Sequence, residues 1–195
     1  MGSCNSSVQS GRSMVEILGV LALIGVLSIG GIAAFSKAME KINSNRIVED
    51  VHTIIKNIQT TYNSQINYED LDNVKAISYN LIPDHMIVDE KTIKTRMGND
   101  FLLRTIDRNN GYVILINELT STPCMALAST DWGKDNSGPS FIVVSQTGIN
   151  PPRGFPGNLE PGEFSSKDLP LTPAQAAPYC QCNMEFGCGI AWFFR

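Results

Sequence analysis

The sequence predicts an α+β fold in which one long amino-terminal helix precedes an antiparallel β-sheet with short helices. Two observations support this prediction. An uncharged apolar run from Ile17 to Phe35 leads directly into a segment with helical periodicity, and apolar strand-like runs separated by turn signals fill the second half of the chain. The 195 residues are 43% hydrophobic and 17% charged, which indicates a folded protein rather than a disordered one.

The predicted helix extends from about residue 13 to about residue 63. Its apolar part, roughly 19 residues, spans about 28 Å as a helix, close to the hydrocarbon thickness of a bilayer. Its second part is amphipathic. The apolar positions on one face are Ala38, Ile42, Ile47, Val48, Val51, Ile54, Ile55, Ile58 and Tyr62, and the polar positions opposite are Lys41, Ser44, Asn45, Glu49, Asp50 and Lys56.

The remaining elements are predicted from short apolar runs and turn residues. Asn110-Gly111 is a strong signal for a hairpin between two strands. The loop over 150–162 is rich in Pro and Gly and is expected at the surface. The predicted helices lie within 71–83, 122–130 and 172–180, and the predicted strands are 101–107, 112–119, 139–146 and 189–195.

Composition and motifs exclude several classes of function. Fifteen basic and nineteen acidic residues give a net charge of −4, without the basic stripe that a nucleic-acid-binding protein needs. The chain has two histidines, His52 and His85, which is too few for a His-rich metal cluster. The sequence contains none of the usual phosphate-binding, metalloprotease or serine-hydrolase motifs. We therefore predict no enzyme activity, no cofactor and no metal.

The amino-terminal segment fits two common alternatives poorly. A secretory signal peptide has a basic start, a shorter apolar run and a small-residue cleavage site, and this segment has none of these. Gly2 and Ser6 match a myristoylation pattern, with Cys4 placed like a palmitoylation site. A lipid anchor directly before a complete membrane-spanning segment would be redundant.

A single carboxylate at the start of the apolar run is the informative feature. Glu16 lies five residues after Gly11, and an ionisable residue in a membrane segment is costly enough to indicate a function. The pattern of Gly11, Arg12, Glu16 and a long apolar helix resembles the type IV pilin family with its class III prepilin leader. The resemblance implies cleavage between Gly11 and Arg12 by a prepilin peptidase. The family's N-methylation would then fall on Arg12, where the family usually carries Phe or Met.

The resemblance also implies a role for Glu16 in assembly. In the family, this carboxylate is thought to meet the free amino terminus of a neighbouring subunit, so that two desolvated charges compensate each other. The alternative is that Glu16 is only an interfacial anchor in the headgroup region. Gly25, Gly30 and Gly31 weaken the helix by roughly 1 kcal/mol each, and they serve either bending or close helix packing.

Four of the five cysteines remain after the implied cleavage, because Cys4 lies in the leader. An even number suits disulfide bonds in an oxidising compartment. Cys180 and Cys182 point to opposite faces of an extended chain, so only one of them can readily reach Cys124. We favour Cys124–Cys182 and Cys180–Cys188 over the exchanged pairing. The alternative is that the four cysteines bind zinc, although their spacing lacks the usual CxxC pairs.

The implied organisation is a cleaved leader at 1–11, a transmembrane and polymerisation segment at 12–36, and a globular domain at 37–195 with the amphipathic half-helix packed on the sheet. A long-range cysteine pair and the run 98–127 are similar to type IVb pilins. The predicted function is a structural pilus subunit. Its expected partners are itself, the peptidase and the inner-membrane assembly machinery, and its expected location is first the inner membrane and then the extracellular pilus. The alternatives are a pseudopilin of a type II secretion system and a membrane-tethered periplasmic domain.

Overall fold

The computed structural model describes residues 14–133, 138–157 and 159–195. The chain divides into two compact units, with the boundary between Met39 and Glu40. The amino-terminal unit is helical throughout its described residues. The carboxy-terminal unit contains the rest of that helix, the sheet and the short helices.

Helix α1 is continuous over Met14–Tyr62, which confirms the single long helix predicted from the sequence. Its second half buries a stripe that includes Ile47, Ile54 and Ile58. The predicted faces need correction in four places. Ala38 and Ile42 were expected on the apolar face but are exposed, Ile42 by 44%, whereas Ser44 and Asp50 were expected on the polar face and are buried.

The burial of Asp50 is explained by two cationic or hydrogen-bonding partners from outside the helix. His85 Nε2 lies 2.9 Å from Asp50 Oδ2, and Arg96 Nε donates to the same oxygen at 3.2 Å. The Ser44 hydroxyl is satisfied within the helix, because it donates to the Glu40 carbonyl at 2.7 Å. A buried carboxylate is tolerated when it is paired in this way. The Asp50 cluster therefore ties α1 to the chain segment between residues 85 and 96.

The sheet has six antiparallel strands in the order β1-β2-β3-β6-β4-β5. The strands are β1 Ile93–Lys94, β2 Asp100–Ile106, β3 Gly111–Leu119, β4 Phe141–Ser145, β5 Glu163–Ser165 and β6 Cys188–Phe194. The four predicted strands are confirmed as β2, β3, β4 and β6. The short edge strands β1 and β5 were not predicted, because two or three residues give no measurable alternation.

Three short helices lie around the sheet: α2 Asn73–Ser78, α3 Ser121–Ala128 and α4 Pro173–Ala176. A 3-10 turn covers Asp84–Met86. Asp72 caps α2 by accepting a hydrogen bond from the Lys75 amide at 2.8 Å. Thr172 and Gln175 form a capping box at the start of α4. α2 and α4 fall within segments that the sequence predicts to be helical, and α3 begins one residue before its predicted segment.

The sheet is apolar on both faces. Its main face shares one core with the buried stripe of α1 and includes the fully buried Trp192 and Leu103. The opposite face carries a smaller cluster that includes Val113 and Phe193, with the partly buried Phe155 packed on it. Because successive strand residues point to opposite faces, β6 is buried along its whole length. β6 therefore contributes core residues to both faces of the sheet, Trp192 to the main face and Phe193 to the opposite one.

The hairpin between β2 and β3 is confirmed, but its turn is not centred on Asn110-Gly111. The connection runs over 107–110, and Gly111 already belongs to β3. Asp107, Arg108 and Asn109 have positive φ values of 49°, 54° and 72°. The Gly111 position is restricted by packing, because a Cβ there would lie 2.6 Å from the Phe155 ring. The nearest obstacle to a Cβ at Gly111 is the backbone carbonyl of Phe194, so the glycine allows the close approach of β6.

The corrected helix face predicts different costs for two isoleucine substitutions. Ile54→Ala should lower the free energy of unfolding by about 2 to 5 kcal/mol, because Ile54 is fully buried. Ile42→Ala is the matched control, and because Ile42 is 44% exposed the change should stay below about 1 kcal/mol. The measurement is denaturant unfolding of the detergent-solubilised chain, followed by fluorescence of Trp132 and Trp192. Equal costs at the two positions would contradict this assignment of the buried face.

Candidate assembly site

The first half of α1 exposes all of its apolar surface. Every large apolar side chain from Met14 to Phe35 is between 49% and 81% exposed. Among the described residues, α1 is the one helix long and apolar enough to cross a membrane. An apolar surface of this length is stable only where lipid or other apolar surfaces cover it.

Glu16 lies in the first turn of α1 as described. The predicted processing residues, Gly11 and Arg12, lie outside the described residues. The structure therefore places Glu16 at the beginning of the apolar segment.

No contact within the described chain explains why four positions in the apolar half of α1 are glycine. A Cβ added at Gly19, Gly25, Gly30 or Gly31 would meet no described atom within 4 Å. Each glycine nevertheless costs the helix roughly 1 kcal/mol relative to alanine. Small residues on an apolar helix allow another helix to approach closely. The glycines thus suit contacts with other molecules.

The serines in the same segment leave no unsatisfied hydroxyl donor. Ser28 donates to the carbonyl of Ile24 at 2.8 Å, and Ser36 donates to the carbonyl of Ile32 at 3.0 Å. Hydroxyls bonded to the preceding turn are tolerated in an apolar environment. Between Met14 and Ser36, the one ionisable side chain of α1 is that of Glu16.

The disulfide pairing favoured from the sequence is wrong, and the exchanged pairing is observed. Cys124 bonds to Cys180, 56 positions along the chain, and Cys182 bonds to Cys188, six positions along. The prediction that Cys180 and Cys182 point in opposite directions gave no means to decide which one points inward. Cys180 is 3% exposed, so it reaches the fully buried Cys124, whereas the turn after Cys182 brings it to Cys188.

The two disulfides pack against each other. The sulfur atoms of Cys124, Cys182 and Cys188 lie within 4.8 Å of one another. Zinc binds thiolates, and sulfur atoms in disulfide bonds do not act as thiolate ligands. This sulfur cluster is therefore a covalent crosslink between α3, the segment after α4, and β6.

Both histidines have structural partners. The His52 ring lies 4.4 Å from the Trp132 ring, and His85 belongs to the Asp50 cluster. The partnership of Asp50 with His85 was not predicted, because the two residues are 35 positions apart and no local pattern joins them. With all four described cysteines in disulfides, neither histidine has a thiolate to activate.

Comparison with known proteins identifies the family. A family model described as PilS N terminal matches residues 41–186, which is most of the chain. The chain belongs to the PilS family of type IV pilins. The matched region covers most of the unit that holds the sheet, with the Cys124–Cys180 disulfide and most of the amphipathic half of α1, and it ends before Cys188 and β6.

Relatives of this pilin match over nearly the whole chain. Two proteins from Escherichia coli, from O111:H- and from O127:H6 strain E2348/69, are named major structural subunit of bundle-forming pilus. Each is 24% identical over 194 residues, which cover 98% of this chain and 97% of the relative. The crystal structure of TcpA, a type IV pilin from Vibrio cholerae El Tor, aligns with a TM-score of 0.53 at 15% identity. It covers 78% of this chain and 99% of TcpA. The pilin fold predicted from the sequence is confirmed.

The observed pairing predicts unequal effects of removing the two disulfides. In the loop-closure model, the Cys124→Ser/Cys180→Ser variant should lose about 4 kcal/mol of unfolding free energy and the Cys182→Ser/Cys188→Ser variant about 2 kcal/mol. The measurement is denaturant unfolding of both double variants beside wild type. Peptide mapping without reduction should recover Cys124 joined to Cys180. A recovered Cys124–Cys182 peptide would contradict the pairing.

Partial desolvation of the His52 ring, which lies against Trp132 although the residue is exposed, predicts a small loss of stability in mild acid. Desolvation lowers the pKa of His52 from its ordinary 6.5, and the nearby Asp131 offsets part of that shift. The unfolded chain therefore takes up the His52 proton at a higher pH than the folded chain does. The free energy of unfolding should fall as the pH drops below about 6.5. His52→Phe keeps a ring against Trp132 and should reduce this dependence, and an unchanged pH profile would contradict the assignment.

Proposed function

We propose that this pilin is the structural subunit of a type IV pilus and that it polymerises through the exposed apolar half of α1. The observation that carries the proposal is the continuous exposure of every large apolar side chain from Met14 to Phe35. The two relatives named as major subunits of a bundle-forming pilus support it, because they align over the same segment. The role is structural rather than enzymatic.

The proposed assembly begins with a membrane-anchored precursor. A prepilin peptidase removes residues 1–11, and Arg12 gains a free α-ammonium group. The apolar segment then leaves the bilayer as neighbouring helices replace the lipid around it. Because lipid and helix surfaces are similarly apolar, this exchange costs little free energy and the packing of small residues favours it.

The proposed role of Glu16 is to fix the register of neighbouring subunits. Its carboxylate meets the amino terminus of a neighbouring copy, and each charge loses its water while gaining the other as partner. Removing one member of such a pair costs roughly 3 to 5 kcal/mol, since the other charge stays buried and unpaired. Register is then specified at one point of an otherwise uniform apolar surface.

The proposed partners are other copies of this chain, the prepilin peptidase and the inner-membrane assembly machinery. The subunit passes from the inner membrane, with its globular unit on the periplasmic side, to an extracellular pilus. The two disulfides favour an oxidising compartment as the location of that unit. A pseudopilin would use the same helix, but the matching relatives are named as pilus subunits.

The charge of Glu16 provides the direct test of assembly. Glu16→Gln should reduce the amount of pilin in sheared filaments by more than about tenfold, because the neighbour's ammonium group is left without a partner. The membrane pool of processed pilin should stay unchanged. Glu49→Gln is the matched control, since Glu49 is an exposed carboxylate on the same helix, and it should assemble normally. Normal assembly of Glu16→Gln would refute the proposed register.

Leader cleavage is tested by intact mass in cells with and without the prepilin peptidase. Loss of residues 1–11 should require the peptidase, and reduction should add about 4 Da for two disulfides. A further gain of about 14 Da would indicate methylation of Arg12. A leader retained in both strains would refute the processed pilin and favour a membrane-tethered domain.

A further inference from the structure

The two disulfide bonds differ in how a reagent in solution can reach them. Cys124 is fully buried and Cys180 is 3% exposed, so an external thiol has no direct path to either sulfur of their bond. In the second bond, Cys188 is fully buried but Cys182 is only partly buried. Of the four cysteines that the structure describes, Cys182 is therefore the one that an external thiolate can attack.

Cys182 lines an open cavity of about 370 Å³. We name it the Cys182 cavity, and its other walls are residues 118–121 and 183–187. The rate of attack on a disulfide depends on access to the particular sulfur that is attacked. The cavity provides this access to the Cys182–Cys188 bond from the side of Cys182.

The sulfur atoms of the two bonds lie close together. Those of Cys124, Cys182 and Cys188 are within 4.8 Å of one another. The Cys182 sulfur also lies 3.6 Å from the Cys180 carbonyl oxygen, and the Cys188 sulfur lies 3.7 Å from the Tyr179 carbonyl oxygen. The accessible bond is thus packed against the chain segment that carries the buried bond. A sulfur released from the accessible bond has Cys124 as its neighbour.

This arrangement allows one bond to be exchanged for the other. Attack on Cys182 by an external thiolate forms a mixed disulfide, breaks the bond to Cys188 and leaves a Cys188 thiolate inside the fold. The Cys188 side chain is then free to change rotamer and to bring its thiolate to the Cys124 sulfur. Formation of a Cys124–Cys188 bond displaces Cys180 as a thiolate.

We propose that the Cys182–Cys188 bond relays electron pairs between a dithiol–disulfide oxidoreductase acting at the Cys182 cavity and the buried Cys124–Cys180 bond. In the reducing direction, the second thiolate of the dithiol finally displaces Cys182 from the mixed disulfide. The two electrons and two protons of the dithiol end in the thiols of Cys180 and Cys182, the dithiol becomes a disulfide, and the Cys124–Cys188 bond remains. In the oxidising direction each step is reversed, so the buried bond is completed without opening the core.

The relay goes beyond the proposed pilus function and does not depend on it. The buried bond joins residues 56 positions apart, whereas the accessible bond joins residues six positions apart. In the loop-closure model, the short bond stabilises less, and its effect does not require a position beside the long bond. The relay accounts for that position.

The rate at which the buried bond is reduced tests the relay in the detergent-solubilised full chain. The probe is dithiothreitol at about pH 8, where thiolates form, with samples quenched in acid, alkylated and mapped as peptides. Cleavage of Cys124–Cys180 should be at least about tenfold slower in Cys182→Ser/Cys188→Ser than in wild type, because the variant has lost the accessible sulfur. A role in stability alone predicts the reverse, since a destabilised chain opens more often. An equal or faster rate in the variant would overturn the relay.

Cys124→Ser/Cys180→Ser is the matched control. Its Cys182–Cys188 bond should be reduced within about twofold of the wild-type rate, because that bond is attacked directly. A rate far below that of wild type would show that Cys182 is not the point of entry, and the relay would fail.

The bond that survives partial reduction gives a second readout. Wild-type chains that have lost one bond to dithiothreitol should contain the Cys124–Cys188 bond in at least about a fifth of the molecules. Reduction by a phosphine at about pH 4.5 is the control, because protonated thiols do not exchange, and it should leave only Cys124–Cys180. If dithiothreitol also leaves only Cys124–Cys180, the relay is wrong while the proposed pilus function stands.

Discussion

The structure depends on one helix that has to satisfy two different environments. α1 continues without a break from Met14 to Tyr62, yet its side chains change from fully apolar and exposed to amphipathic and buried along the way. The second half is committed to the core of the sheet unit, where Ile47 and Ile58 are fully buried. The first half has no apolar partner among the described residues. The folded monomer therefore retains a large unsatisfied apolar surface, and covering that surface is what assembly or membrane insertion accomplishes.

The unit that anchors this helix is completed by the last strand in the chain. β6 lies between β3 and β4, so the central position of the sheet is filled by residues Cys188–Phe194. Such a core consists mainly of contacts between distant residues, which cost more loop-closure entropy than local contacts do. The two disulfides act just before this strand, because Cys180 is tied to α3 and Cys182 to the start of β6. They reduce the conformational entropy of the unfolded chain next to β6, the strand whose pairing closes the longest loops.

The sequence predicted the parts of this fold that have strong periodicity. The long helix and the four longer strands were recognised because each repeats its apolar pattern several times. Asp50 was assigned to the wrong face because its burial depends on His85 and Arg96, which are distant in sequence. The disulfide pairing failed for a related reason: alternation shows that Cys180 and Cys182 diverge, but only the tertiary fold shows which one points inward. At the candidate assembly site, Glu16 was found from its cost in an apolar segment.

Two kinds of contact are needed to make one defined filament from such a subunit. Burial of the apolar helix supplies free energy, but hydrophobic contact is not directional and tolerates many relative positions of neighbouring helices. Charged groups contribute less net free energy but discriminate strongly, since a charge left buried without a partner is costly. Under the proposed function, Glu16 supplies such discrimination among the helices. The separation of these tasks explains why a continuous apolar surface carries one carboxylate at its end.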